Sequence, residues 1–213
     1  MGGEEEPCKL ARVLVEVSEP ERGGAPGFTP YHVLEALKLL SRKSMGRPAL
    51  QRALGLGEGS VKTMVAKLRE KGMVERVGKG LKVTSAGARV AEVLTAILTY
   101  TIFKEEVPGL WEEDTLITCL SCAPAPRNLT EVYKVRDYLV AEGCRVSLVG
   151  GAVGPGYYVL PGVPDYIGRH VVDVLDAIRA RGLVVLTPAS CTPQTVSAIL
   201  KLLAFECPCK PPG

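Results

Sequence analysis

Side-chain amides are nearly absent from this sequence. Among 213 residues there is one asparagine, Asn128, and there are two glutamines, Gln51 and Gln194. Both amides are thermally labile, and their scarcity beside 16 prolines points to a hot source. A GC-rich genome gives the same bias toward Ala, Gly, Pro, Val and Arg. Histidine is scarce too: His32 and His170 stand in no ligand or catalytic motif. No apolar run is long enough to cross a bilayer, so no membrane partner is expected. The acidic start, Glu4-Glu5-Glu6, is the opposite of the basic opening of a signal peptide, so the expected location is cytoplasmic. The nucleophile elbow G-x-S-x-G is missing, and no pair of carboxylates stands in a catalytic motif. No reaction can be named, and no enzyme activity or cofactor is expected.

What the sequence has is charge, unevenly placed. The whole chain carries only +3. Residues 28–89 hold 13 Lys and Arg against 4 Asp and Glu, a net of +9, whereas residues 105–213 hold 9 against 12, a net of −3. A basic module joined to a mildly acidic one suggests a polyanionic partner for the first alone.

Periodicity within the basic stretch supports that reading. Leu10, Val13, Leu14 and Val17 predict a short helix ahead of it. A loop over 18–27 follows, and then a helix from Pro30, with Thr29 as its N-cap. Gly46-Arg47-Pro48 opens a second helix, which Gly55 and Gly57 end. A third spans about 58–72, with Val61, Met64, Val65 and Leu68 as its buried stripe. Its opposite face holds Gly59, Lys62, Thr63, Ala66, Arg69 and Glu70, with Lys67 at the margin. That face is small and basic, which suits a groove about 12 Å wide. Residues 73–77 and 81–83 predict a hairpin turning on Gly78-Lys79-Gly80, with Arg76, Lys79 and Lys82 within reach of phosphates. Thr84-Ser85 then caps a long helix to about Phe103, its stripe being Val90, Val93, Leu94, Ile97, Leu98 and Ile102. That helix is expected to pack on the N-terminal one and to supply a dimer seam, or to serve as a linker helix.

Residues 105–114, acidic and containing Pro108-Gly109 and Trp111, mark the expected boundary between a domain at 1–104 and one at 115–213. Beyond it, strands at 115–119, 145–149, 157–160 and 183–186 alternate with helices at 129–142 and 167–181, and a last helix covers 192–205. The order β-α-β-β-α-β is that of a ferredoxin-like unit, with one helix appended. The glycine-rich stretch at 150–156 lacks the Lys-Ser/Thr of a phosphate loop and leads into a strand, so it is expected to be a hairpin connection. Gly151, Gly154, Tyr157 and Tyr158 are the candidate lining of a small-molecule effector pocket. The 7 cysteines admit three readings: plain thiols, disulfides, or a zinc site from Cys119-x-x-Cys122 and Cys207-x-Cys209.

The segment Ala53 to Gly87, with Gly59-Ser60-Val61-Lys62-Thr63, Leu68-Arg69-Glu70-Lys71-Gly72 and Val83-Thr84-Ser85-Ala86-Gly87, resembles winged-helix transcription regulators of the broad MarR, ArsR and Lrp type. The two-part layout, with Ile167-Gly168-Arg169-His170 before a long helix, resembles an archaeal family of winged-helix proteins whose C-terminal domain has no assigned function. The resemblance implies a transcription-factor-like role carried by Lys62, Thr63, Arg69 and the wing. The expected fold class is therefore α+β, an N-terminal winged helix-turn-helix followed by a ferredoxin-like domain. The expected partners are double-stranded DNA, a small-molecule effector and a second copy in a homodimer. Arg47, Lys62, Thr63, Lys67, Arg69, Arg76, Lys79 and Lys82 are the candidate DNA contacts. Two other readings stand beside it: a small-molecule enzyme in the C-terminal half, and a winged helix that binds protein.

Overall fold

The helix expected near the N-terminus is present as α1, Glu6–Ser18; Leu14 and Val17 of the expected stripe are buried, whereas Leu10 and Val13 are half-buried and Ala11 and Val15 complete the buried side. The computed structural model describes residues 5–20, 26–107, 109–154 and 156–209. The acidic start at Glu4, part of the loop at 18–27, and Pro108 and Pro155 lie outside these. Among the described residues the fold is mixed, with eight α-helices and two antiparallel sheets.

Three helices follow α1: α2 at Pro30–Arg42, α3 at Arg47–Leu54 and α4 at Glu58–Glu70. Thr29 is the N-cap of α2, and its backbone N–H donates to His32 Nδ1 at 3.1 Å. Burial holds the His32 imidazole below its ordinary value, so it stays an acceptor here. The hairpin is β1, Val74–Val77, paired with β2, Gly80–Val83. α5, Ser85–Ile97, starts at Thr84, whose side chain accepts from the Gly87 N–H at 3.2 Å.

The long helix expected up to Phe103 stops at Ile97. Residues Leu98–Phe103 instead form β3. Leu98 and Ile102 continue a helical spacing, but Thr99, Thr101 and the aromatics Tyr100 and Phe103 favour a pleated surface, and pairing with the next strand decides the outcome. That strand is β4, Thr115–Leu120. It is followed by α6 at Leu129–Ala141, β5 at Leu148–Gly154, β6 at Tyr157–Val159, α7 at Asp165–Ala177, β7 at Gly182–Pro188 and α8 at Thr192–Glu206. The glycine-rich stretch is mostly strand, not connection. A side chain at Gly151 would sit 2.4 Å from the Ala125 methyl, so only a glycine lets this strand run so close to the loop after β4.

The β-α-β-β-α-β order from β4 to β7 is present, but its sheet is not laid out as a ferredoxin-like unit would be. The strand order is β3-β4-β7-β5-β6, so the second and fourth strands of that order lie inside where the first and third would. A fifth strand, β3, joins at the edge. Strand alternation sends Leu120, Val149, Leu183 and Val185 to one face, where they meet α6 and α8. Ile117, Leu148, Val184 and Leu186 point to the other face and meet α7, with Trp111 packed among them.

The boundary expected at 105–114 does not divide the packing. β3, which precedes it, belongs to the C-terminal sheet, and α8, which ends the fold, packs on α1 and α2. One apolar core runs from α1, α2, α4 and α5 through α8 to the sheet. The cysteines follow this layout. Cys8 pairs with Cys207, Cys122 with Cys209 and Cys144 with Cys191. The four-thiolate zinc reading is thereby overturned: Cys122 and Cys207 have disulfide partners, and Cys119 is a buried free thiol on the α7 side of the sheet. No helix among the described residues is long and apolar enough to cross a membrane.

Candidate nucleic-acid interface

A cleft of about 420 Å³ opens between α4 and the β1–β2 hairpin. Its cationic lining is Arg47 from the start of α3, Lys62 and Arg69 from α4, and Arg76 and Lys79 from the hairpin. The geometry of each element puts them there. Lys62, Ala66 and Arg69 are spaced i, i+4, i+7, which gives one exposed line along α4, while Val61, Met64, Val65 and Leu68 face the core. Ala66 keeps the floor between the two cations low. The hairpin is held at the cleft's far wall by Met45, whose N–H donates to Leu81 O at 3.1 Å and whose carbonyl accepts from Leu81 N–H at 2.9 Å. This isolated bridge works as a third strand beside β2. At Gly80 beside it, a Cβ would stand 2.5 Å from Ser44 Oγ, so a larger residue there would have to turn that hydroxyl aside. Arg76 is steadied over the turn, donating from Nε to Gly78 O at 3.3 Å.

The structure thus brings five of the eight candidate DNA contacts to one cleft. Thr63 is exposed on α4 next to Lys62 but does not line it. Lys82 stands opposite Glu75 across the hairpin, away from the cleft, because strand alternation turns it from the side that carries Leu81. Lys67 faces the end of α1 and donates to Glu19 O. That contact removes it from the candidate face, and nothing local in the sequence signals it.

α1 takes up further positive charge. Lys71 donates to Glu16 at 2.8 Å, which holds the ammonium above its ordinary value. Arg89 grips Glu6 with two hydrogen bonds, at 3.0 and 2.9 Å, and that carboxyl is held below the usual range by the guanidinium. The +9 excess is therefore partly neutralised on the α1 side, while the five cleft cations keep no carboxylate partner among the described residues.

A second cleft, about 570 Å³, lies at the end of β5 and β6. Of the four candidate effector residues, Gly154 and Tyr158 line it, together with Asp176, Arg179 and Arg181. Gly151 faces Ala125 instead, and Tyr157 projects to solvent at 71% exposure. Tyr158 donates to Asp176 Oδ1 at 2.9 Å, and burial followed by this carboxylate pushes the phenol up to about 12. Arg179 takes a left-handed φ of 52°, unusual for a residue with a side chain. Arg179 and Arg181 also border a third cleft floored by Cys119, whose thiol burial pushes up.

No protein-family model matches this chain, and neither does any curated protein. Among solved structures, a hypothetical protein from Pyrococcus horikoshii OT3 is similar, with a TM-score of 0.54 and 19% identity over 81% of this chain and 89% of that one. At that identity the likeness is one of fold.

Proposed function

We propose that this protein is a transcription regulator that binds double-stranded DNA. In this reading α2, α3, α4 and the β1–β2 hairpin are a winged helix-turn-helix, with α4 as the reading helix and the hairpin as the wing. The observation that carries the proposal is the cleft between α4 and the hairpin, where Arg47, Lys62, Arg69, Arg76 and Lys79 converge from three elements. A duplex backbone is the polyanion with the length to engage all of them, and the small face of α4 leaves room for a groove wall.

The test is duplex binding at several salt concentrations. Genomic fragments selected from a pool supply the operator. Lys62→Ala and Arg69→Ala are expected to weaken operator binding by about 1–3 kcal/mol each. Lys79→Ala acts on the backbone, so it weakens all duplexes alike and lowers the salt slope by about one. Gel shifts that do not change in all three variants would remove this face from consideration. A protein-binding winged helix would show no salt-dependent duplex affinity at all.

The cleft of Tyr158, Asp176, Arg179 and Arg181 favours a small polar molecule as the effector. Turnover of such a molecule, beyond binding, would turn the reading toward an enzyme.

A further inference from the structure

The five-stranded sheet has two edges, and they are built differently. β6 is three residues long and meets β5 through a register shift between Ala152 and Gly154. Shortness and a bulge are the ordinary means of stopping an edge from pairing with another chain. β3 has neither. It is six residues of unbroken register against β4, from Leu98↔Leu120 to Phe103↔Thr115. Its sequence, Leu-Thr-Tyr-Thr-Ile-Phe, has no charge, proline or glycine, and every residue but Leu98 is a strong strand former. Thr99 and Thr101 are exposed, and Ile102 is 53% exposed. Alternate N–H and C=O groups of this strand point away from β4.

We propose that β3 pairs antiparallel with β3 of a second copy across a two-fold axis, joining two five-stranded sheets into one of ten. The uncharged strand favours this occupant, since a strand that must meet itself can carry no like charges at facing positions. The pleat fixes the register to a short menu. Facing residues share a sheet face, and the axis relates each pairing to its reverse, so the numbers of two paired residues sum to an even value. With Thr101 on the axis, Thr101 faces Thr101 of the second copy, and Ile102 faces Tyr100 on both sides. This register covers the exposed isoleucine with a tyrosine ring already packed toward Tyr31. It also sets Lys104 opposite Leu98, away from its own counterpart. The surface is separate from the α4 cleft, so a protein that bound DNA as a monomer would sink the interface and leave the reader standing.

The test uses the full chain in its disulfide-bonded form. Sedimentation equilibrium is expected to give twice the 22.7 kDa chain mass. Thr101→Lys sets two ammonium groups face to face and is expected to give a folded monomer that still melts in one transition, at a midpoint that no longer depends on protein concentration, while Tyr157→Lys on the other edge leaves the dimer intact. Thr101→Cys addresses the register without relying on a charge: facing positions stand about 4.5–5.5 Å apart, within disulfide range. It is expected to give a double-mass band on a non-reducing gel that Thr99→Cys does not. A monomeric wild type, a dimer that survives Thr101→Lys, or a Thr101→Cys chain that stays single would each overturn the proposal.

Discussion

Tyr100 shows how a single side chain can tie two parts of this molecule together. It belongs to β3, but its hydroxyl donates to Glu35 on α2, and Lys38 donates to both, at 3.0 Å to the phenol and 2.6 Å to the carboxylate. Burial first, and then the Glu35 carboxylate, keeps this phenol protonated well above its ordinary value. Tyr158 is pushed up to about 12 for the same two reasons. A folded value raised above the unfolded one gives stability that is complete below the unfolded value of 10.0 and is lost as pH climbs through the folded value. An absorbance titration of the native protein should therefore show fewer than the seven tyrosines ionised near pH 11, with the missing phenolates appearing on unfolding. Seven equivalent tyrosines titrating together near 10.0 would contradict the Glu35 and Asp176 contacts. At the same scale lies the reason why some residues of the candidate cleft were legible in the sequence and others were not. Lys62 and Arg69 follow from helical spacing, and Arg76 and Lys79 from the turn that places them. Lys67 fails because the Glu19 carbonyl that holds it lies 48 residues away.

Among the elements, α8 departs furthest from its reading in the sequence. Its last residues look like an appendage to a small α/β unit. In the fold it is the most buried helix, with nine buried residues among its 15, because it lies between the sheet, α6, α1 and α2. An all-round apolar helix is the sequence mark of such a position. What the sequence withholds is which elements surround it. Leu203 is fully buried in this joint, and Leu203→Ala should cost about 3–5 kcal/mol, read as a shift in the denaturant midpoint. Loss of that size in both halves at once, in one transition, is expected from the shared core. Two separate transitions would mean that the halves fold apart. β3 was illegible for a different reason. Its residues satisfy helical and strand periods together, and only the presence of β4 beside it selects the strand.

Across the whole molecule, the disulfides bind distant chain segments: Cys8–Cys207 closes a span of 199 residues, and Cys122–Cys209 and Cys144–Cys191 close spans of 87 and 47. Each of the three has one member next to an end of α8. Spacing alone left these pairings undetermined, since seven cysteines permit many. In the chain-entropy account, Cys8→Ser should cost about 5 kcal/mol, and a thiol count on the unreduced, unfolded wild-type protein should find Cys119 alone. Three or more free thiols would contradict the pairing. The placement of α8 has a consequence for synthesis. A ribosome releases α1 through α7 before α8 exists, so the apolar sides of α1, α2 and the sheet wait uncovered for their common partner. On this layout the basic N-terminal module receives part of its apolar cover only once α8 has been made. A message cut short before Thr192 would yield chains with that surface open, the kind of exposed apolar surface that chaperones and proteases capture.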